Sequence, residues 1–148
     1  MCICALCERI KYIESDASLV YEFPHSYLLL GAHGFYRGYC VLVLKQHVRE
    51  LHELDDATQI EFNRELMAAT TAIAKAFTPW KINHASLANQ VQHIHWHIIP
   101  RYQDDPDHRQ HPWLHEQEFT QHHLSEDQKT KLIASIRGHL LLPETKLN

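Results

Sequence analysis

The segment Gln92-His93-Ile94-His95-Trp96-His97-Ile98-Ile99-Pro100-Arg101 alternates imidazoles with large apolar side chains. An extended strand sends successive side chains to opposite faces, so His93, His95 and His97 are predicted to share one face. Ile94, Trp96 and Ile98 then face the core and hold the strand rigid while the imidazoles project into a site. Two chemistries suit such a row. Imidazoles can converge on a transition metal. Alternatively, a neutral imidazole held at one ring nitrogen can attack phosphorus with the other, splitting one displacement into two easier steps. Metallohydrolase sites usually add carboxylates, and none lies between Asn83 and Pro100. A solvated face in a histidine-rich chain is the plain alternative, but three histidines in strict register on an apolar strand argue against it.

The elements that position this row follow from the rest of the chain. Leu19–Phe23 and Ser26–Leu30 read as a hairpin of strands around Pro24, and Tyr39–Leu44 as a central strand. From Asp55 the apolar period becomes helical through Ile60, Leu66, Met67, Ile73 and Phe77, and Pro79 ends this main helix. Lys81–Leu87 and Gln92–Ile99 are two further strands, and Gln103–Glu118 is a long loop whose stretch from Pro106 to Trp113 could fold over the site. Ser125 and Gln128 form a capping box for a short final helix carrying Leu132, Ile133, Ile136 and Leu140. Successive strands with two separated helices predict an α+β domain on an antiparallel sheet.

The chain has 148 residues, 45% of them hydrophobic, and a formal net charge of -4. That length suits one compact domain with a real core. Net negative charge argues against nucleic acid and anionic membranes as partners, since both are held chiefly by phosphate neutralisation. A small anionic molecule remains compatible. No apolar run approaches the ~20 residues of a membrane helix, and the start lacks the regions of a signal peptide, so a cytoplasmic location is expected. Four cysteines there do not predict disulfides. Cys2, Cys4 and Cys7 crowd the start, which suggests metal or redox chemistry, whereas Cys40 in an apolar strand reads as a small buried residue. Most of the remaining histidines read as solvated, and His84 as a buried, hydrogen-bonded residue facing away from Asn83.

The run from His93 to Arg101 resembles the His-x-His-x-His-x-x signature of the histidine triad (HIT) family, in which each x is apolar. The resemblance extends to Cys4-x-x-Cys7, to Gly38-Tyr39 through His47, and to Asn83, covering about Cys4 to Arg101. It is nearest to the small bacterial branch described as diadenosine polyphosphate hydrolases. It implies a HIT-like fold over residues 1–105, with 106–148 as a loop and helix packed on the same domain. It also implies a nucleotide hydrolase acting at the α-phosphate of a dinucleoside polyphosphate or a nucleoside 5′-phosphoramidate. His95 would be the nucleophile, with His97 and His93 as its triad partners, and Asn83, Asn89 and Gln90 would line the phosphate site.

By the same resemblance Cys4, Cys7, His47 and His93 would hold a structural zinc ion, and the chain would form a homodimer. Lys45 and Arg101 are candidates for further positive charge at the site, with a surface salt bridge as the plain alternative for Arg101. Other outcomes within the resemblance are a nucleotidyltransferase to a phosphorylated acceptor and a nucleotide- or zinc-binding regulatory module. Three departures bear on specificity. Tyr39 stands where many relatives have histidine, Gly31 where they have Asn or Asp for the ribose, and Ala88-Asn89-Gln90 replaces a Gly-Gln approach to the triad.

Overall fold

The computed structural model describes residues 4–140, so Cys2 lies outside the described residues. Its helices are α1 (Ala5–Lys11), α2 (Asp56–Phe77) and α3 (Glu126–Leu140), and its strands are β1 (Leu19–Glu22), β2 (Ser26–Leu30), β3 (Cys40–Leu44), β4 (Lys81–Ala85) and β5 (His95–Arg101). The strands form one antiparallel sheet in the order β1-β2-β3-β5-β4. The α+β architecture read from the sequence is therefore present, with β5 inserted between β3 and β4.

Helix α2 starts where Asp55 accepts a hydrogen bond from the Thr58 amide and ends at Thr78, whose left-handed backbone (φ 45°) precedes Pro79. Its buried Phe62, Leu66, Ala69, Ile73 and Phe77 cover one face of the sheet, against Leu28, Leu30, Leu42, Leu44, Ile94 and Ile98. Helix α3, started by the Ser125–Gln128 capping box, adds Ile133 and Ile136 to the same core. The buried Glu65 carboxylate accepts from the His25 amide and the Ser26 hydroxyl, which pins α2 to the start of β2. Gly38 (φ 84°) is glycine of necessity, because a Cβ there would lie 2.4 Å from the Phe77 ring.

The other face of the sheet is covered unevenly. Leu6 and Ile10 of α1 pack on Leu29 and Val43, but β5 turns His95 and His97 outward on that side, opposite Val43 and Val41. Ile94 and Ile98 face α2, as the alternation predicts, with Trp96 packed beside them. Two elements differ from expectation. Ala5–Lys11, which follows Cys4, is helical, and Pro112–Gln121, expected as loop as far as Glu118, forms 3-10 turns. Among the described residues no helix is long and apolar enough to cross a membrane.

Candidate active site

Strand β5 begins only at His95, because the His93 amide turns back to the Val91 carbonyl instead of joining the ladder. The three imidazoles consequently separate. His93 is fully buried and faces the amino-terminal cysteines, whereas His95 and His97 face a cavity of about 480 Å³. The wall of that cavity also includes Leu87, Asn89, Gln90, His111, Trp113 and Glu116. Asn89 and Gln90 thus share this wall with His95 and His97.

Hydrogen bonds assign the ring nitrogens of His95 and His93. The His95 Nδ1 lies 2.7 Å from the His93 carbonyl, which can only accept, so Nδ1 carries a proton, and in the neutral form of the ring the lone pair lies on Nε2. The His93 Nε2 donates in the same way to the Leu44 carbonyl at 2.7 Å, leaving its Nδ1 lone pair toward sulfur. The His97 ring lies 5.0 Å from that of His95, edge to face, and its Nδ1 is 2.7 Å from the Tyr39 hydroxyl. Burial, with a smaller contribution from His95, lowers the His97 pKa to about 4, so this ring is neutral at neutral pH. Burial also holds the Tyr39 phenol well above its ordinary value.

His93 belongs to a second constellation. Its Nδ1 is 3.4 Å from both Cys4 Sγ and Cys7 Sγ and 3.2 Å from His47 Nδ1, while Cys7 Sγ is 3.3 Å from His47 Nδ1. All four donor atoms lie within 4.8 Å of one another. A tetrahedral zinc ion with ordinary Zn–N and Zn–S bonds has ligand–ligand edges of roughly 3.3–3.8 Å, so the set fits the metal in donor type and spacing. The Leu44 carbonyl behind His93 supplies the outer hydrogen bond that fixes a ligating imidazole. Cys4 also caps α1 by accepting from the Cys7 amide.

Three sequence candidates lie elsewhere. Arg101 is 1% exposed and is no surface ion pair: it bonds Asp105, Asn83 and the carbonyls of Gln110 and Asp107, over the Tyr36 ring. Asn83 is thereby placed on this guanidinium and off the cavity wall. Lys45 pairs with Glu22 on the surface and adds no charge to the cavity. Cys40 is fully buried, as expected, but His84 is exposed and bonds Thr70 on α2.

A family profile for the HIT domain matches residues 13–104. The chain belongs to the HIT domain family. An uncharacterised HIT-like protein of Methanocaldococcus jannaschii is 31% identical over 107 residues, which is 70% of this chain and 82% of that protein. The adenosine 5′-monophosphoramidase HNT1 of Saccharomyces cerevisiae is 29% identical over 103 residues, 66% of this chain and 62% of the yeast protein. The fold is shared with a zinc-bound histidine triad family protein from Mycobacterium smegmatis, at TM-score 0.68, 19% identity and 93% of each chain.

The cavity of this HIT protein extends past the matched stretch. Arg101 gathers the carbonyls of Asp107 and Gln110, and the Tyr36 hydroxyl donates to the Pro112 carbonyl at 2.7 Å. These bonds fold the segment after β5 back over the sheet and bring the Trp113 ring 5.2 Å from His97. His111, Trp113 and Glu116 therefore complete the wall. Sequence reasoning named Trp113 but missed His111 and Glu116, because nothing in a polar loop marks which residues turn inward.

Proposed function

We propose that this HIT protein is a nucleotide hydrolase that cleaves a nucleoside 5′-phosphoramidate at its α-phosphorus through a covalent intermediate on His95. The observation that carries the reading is the pair of imidazoles on one wall, with His95 held by its Nδ1 on the His93 carbonyl so that its Nε2 is left for attack. In the first step His95 Nε2 bonds to phosphorus, the bond from phosphorus to the leaving nitrogen breaks, and the amine departs with a proton taken from solvent in the open cavity, which the attacking water of the second step gives back. In the second, water attacks phosphorus, the nucleoside monophosphate leaves, and the imidazole is regenerated. Asn89 and Gln90 supply polar groups beside the transferred phosphoryl group, whose charge must be met in the transition state.

A phosphoramidate fits the wall better than a dinucleoside polyphosphate. The residues lining the cavity include no Lys or Arg and do include Glu116, whereas a polyphosphate leaving group carries several negative charges. The named activity of the yeast relative agrees with this choice. Cys4, Cys7, His47 and His93 would hold zinc in a structural role, tying α1 to the residue that supplies the His95-orienting carbonyl. The exposed Ile60 and Met67 on α2 and Trp80 beside the open edge of β4 support a homodimer. A cytoplasmic location accords with thiol ligands kept reduced.

A single-turnover reaction with α-phosphate-labelled adenosine 5′-phosphoramidate or diadenosine tetraphosphate, quenched in alkali, tests the reading. Label should appear on wild-type protein, be absent from His95→Asn, and form faster with the phosphoramidate. Tight binding without label or product would move the assignment to a binding module. Label passing only to a phosphorylated acceptor would make the protein a transferase.

A further inference from the structure

Tyr39 and Gly31 are a single device. The Tyr39 ring occupies the space that any side chain at position 31 would need: a Cβ there would lie 2.1 Å from the ring Cδ1, 2.5 Å from Cε1 and 2.7 Å from Cγ. These are atoms of a rigid ring, so only glycine admits it. The backbone joins the same two residues, with the Gly31 amide donating to the Tyr39 carbonyl at 2.8 Å. The His33 ring packs 5.0 Å from the phenol ring. Held in this way, the hydroxyl reaches His97 Nδ1 at 2.7 Å and has no other hydrogen-bond partner among the described residues.

A neutral imidazole has one N–H, so this contact has two forms. If Nδ1–H donates to the phenol oxygen, the proton of the half-buried phenol is left without an acceptor. If the phenol donates to Nδ1, both members of the contact are satisfied and the imidazole proton must sit on Nε2, toward the cavity. We infer that Tyr39, seated on Gly31, is a positioning residue that fixes His97 as its Nε2–H tautomer. The cavity then presents two unlike nitrogens, a lone pair on His95 Nε2 and a donor on His97 Nε2. The backbone carbonyl of His93 sets the first and a phenol sets the second.

This inference rests on the proposed attack by His95, and it gives the neighbouring imidazole a definite task. As the phosphoryl oxygens gain charge, the His97 Nε2–H donates a hydrogen bond to one of them. The opposite tautomer would direct a lone pair at the same oxygen. A buried phenol also keeps its proton throughout the turnover, since burial holds it above its ordinary range, so the tautomer is the same in both steps.

The test uses the full-length protein with isotope-labelled histidine, reading by long-range proton–nitrogen correlation which ring nitrogen of His97 carries the proton. Wild type should show the Nε2–H form. Tyr39→Phe keeps the ring on Gly31 and removes only the hydroxyl. It should lose that signature and slow nucleotidyl-histidine formation by roughly 100-fold, with KM little changed and an unchanged thermal midpoint. Gly31→Ala, which displaces the ring, should reproduce the tautomer change; if it does not fold, Tyr39→Phe decides alone. An Nδ1–H form in wild type, or a wild-type tautomer and rate in Tyr39→Phe, overturns the inference. Absence of any nucleotidyl-histidine in wild type would instead defeat the hydrolase reading, because the correlation spectrum judges the tautomer without turnover.

Discussion

His93 and His95 are two residues apart, have the same side chain, and receive opposite treatment. His93 is sealed from solvent, donates through Nε2 to Leu44 and turns Nδ1 toward Cys4, Cys7 and His47. His95 is half-buried on a cavity wall, donates through Nδ1 to His93 and leaves Nε2 without a hydrogen-bond partner among the described residues. In both cases a backbone carbonyl takes the one proton and thereby selects the nitrogen that remains available. The chemistry open to each imidazole follows from which of its nitrogens the backbone occupies and what faces the other. The sharpest separation should come from His95→Asn. It should lower nucleotidyl transfer by on the order of 10⁴-fold, as loss of a nucleophile does, and leave urea denaturation within about 0.5 kcal/mol of wild type. A large stability loss in that variant would erase the distinction.

The reciprocal substitution is His93→Ala. It empties a fully buried site, removes the bond to Leu44 and takes one donor from the Cys4–Cys7–His47 set. Unfolding free energy should fall by roughly 2–4 kcal/mol, and bound zinc measured by elemental analysis should fall with it. Chelation of wild-type protein should likewise lower its thermal midpoint. If His93→Ala kept full stability and metal content, the buried constellation would have no structural role.

The strand pattern revealed more of this contrast than the loop pattern could. Period-two alternation correctly put Ile94, Trp96 and Ile98 on the α2 side and His95 and His97 on the other, because side-chain direction in a strand is local geometry. The same rule placed His93 with them, although a turn at Val91–His93 removes it from the ladder. Pattern alone does not foresee such a turn, which depends on the Leu44 carbonyl and the cysteines from distant parts of the chain. The Cys2-Cys4-Cys7 cluster signalled metal chemistry through its spacing, but helix α1 went unread because its cap is a sulfur atom and its length only seven residues. Arg101, read as charge for the site or as a surface salt bridge, is instead buried under the chain that follows it. What lies over it, a segment returning from Asp105 to Pro112, is a tertiary choice with no periodic signature.

That returning segment gives the catalytic side of the comparison its outer wall, so Trp113 offers a smaller and more selective perturbation. Its ring stands beside His97 but bonds to neither nitrogen of His95. Trp113→Ala should raise KM for the phosphoramidate by about 10-fold, equivalent to ~1.4 kcal/mol, with little change in the single-turnover rate at saturation. A fall in that rate with KM unchanged would make the ring part of the reacting geometry.

His33 provides the mildest test: its ring is held by aromatic packing and by the Phe35 amide, which donates to its Nδ1 at 3.3 Å. Its ring stacks on Phe119 at 4.0 Å, and burial, assisted by His122, lowers its pKa to about 4 from an ordinary 6.5. His97 is lowered to the same value by burial and His95. Between about pH 4 and 6.5 the unfolded chain therefore binds protons at these positions that the folded chain does not, and stability must rise with pH across that window and level off above it. Urea denaturation of wild type from about pH 7 down to about pH 4.5 should show this slope, and His33→Phe should make it shallower by one titrating group. An identical slope in the variant would mean that the His33 ring is protonated within the fold, which its stack on Phe119 opposes because charging the ring there would bring an uncompensated cation into an apolar layer.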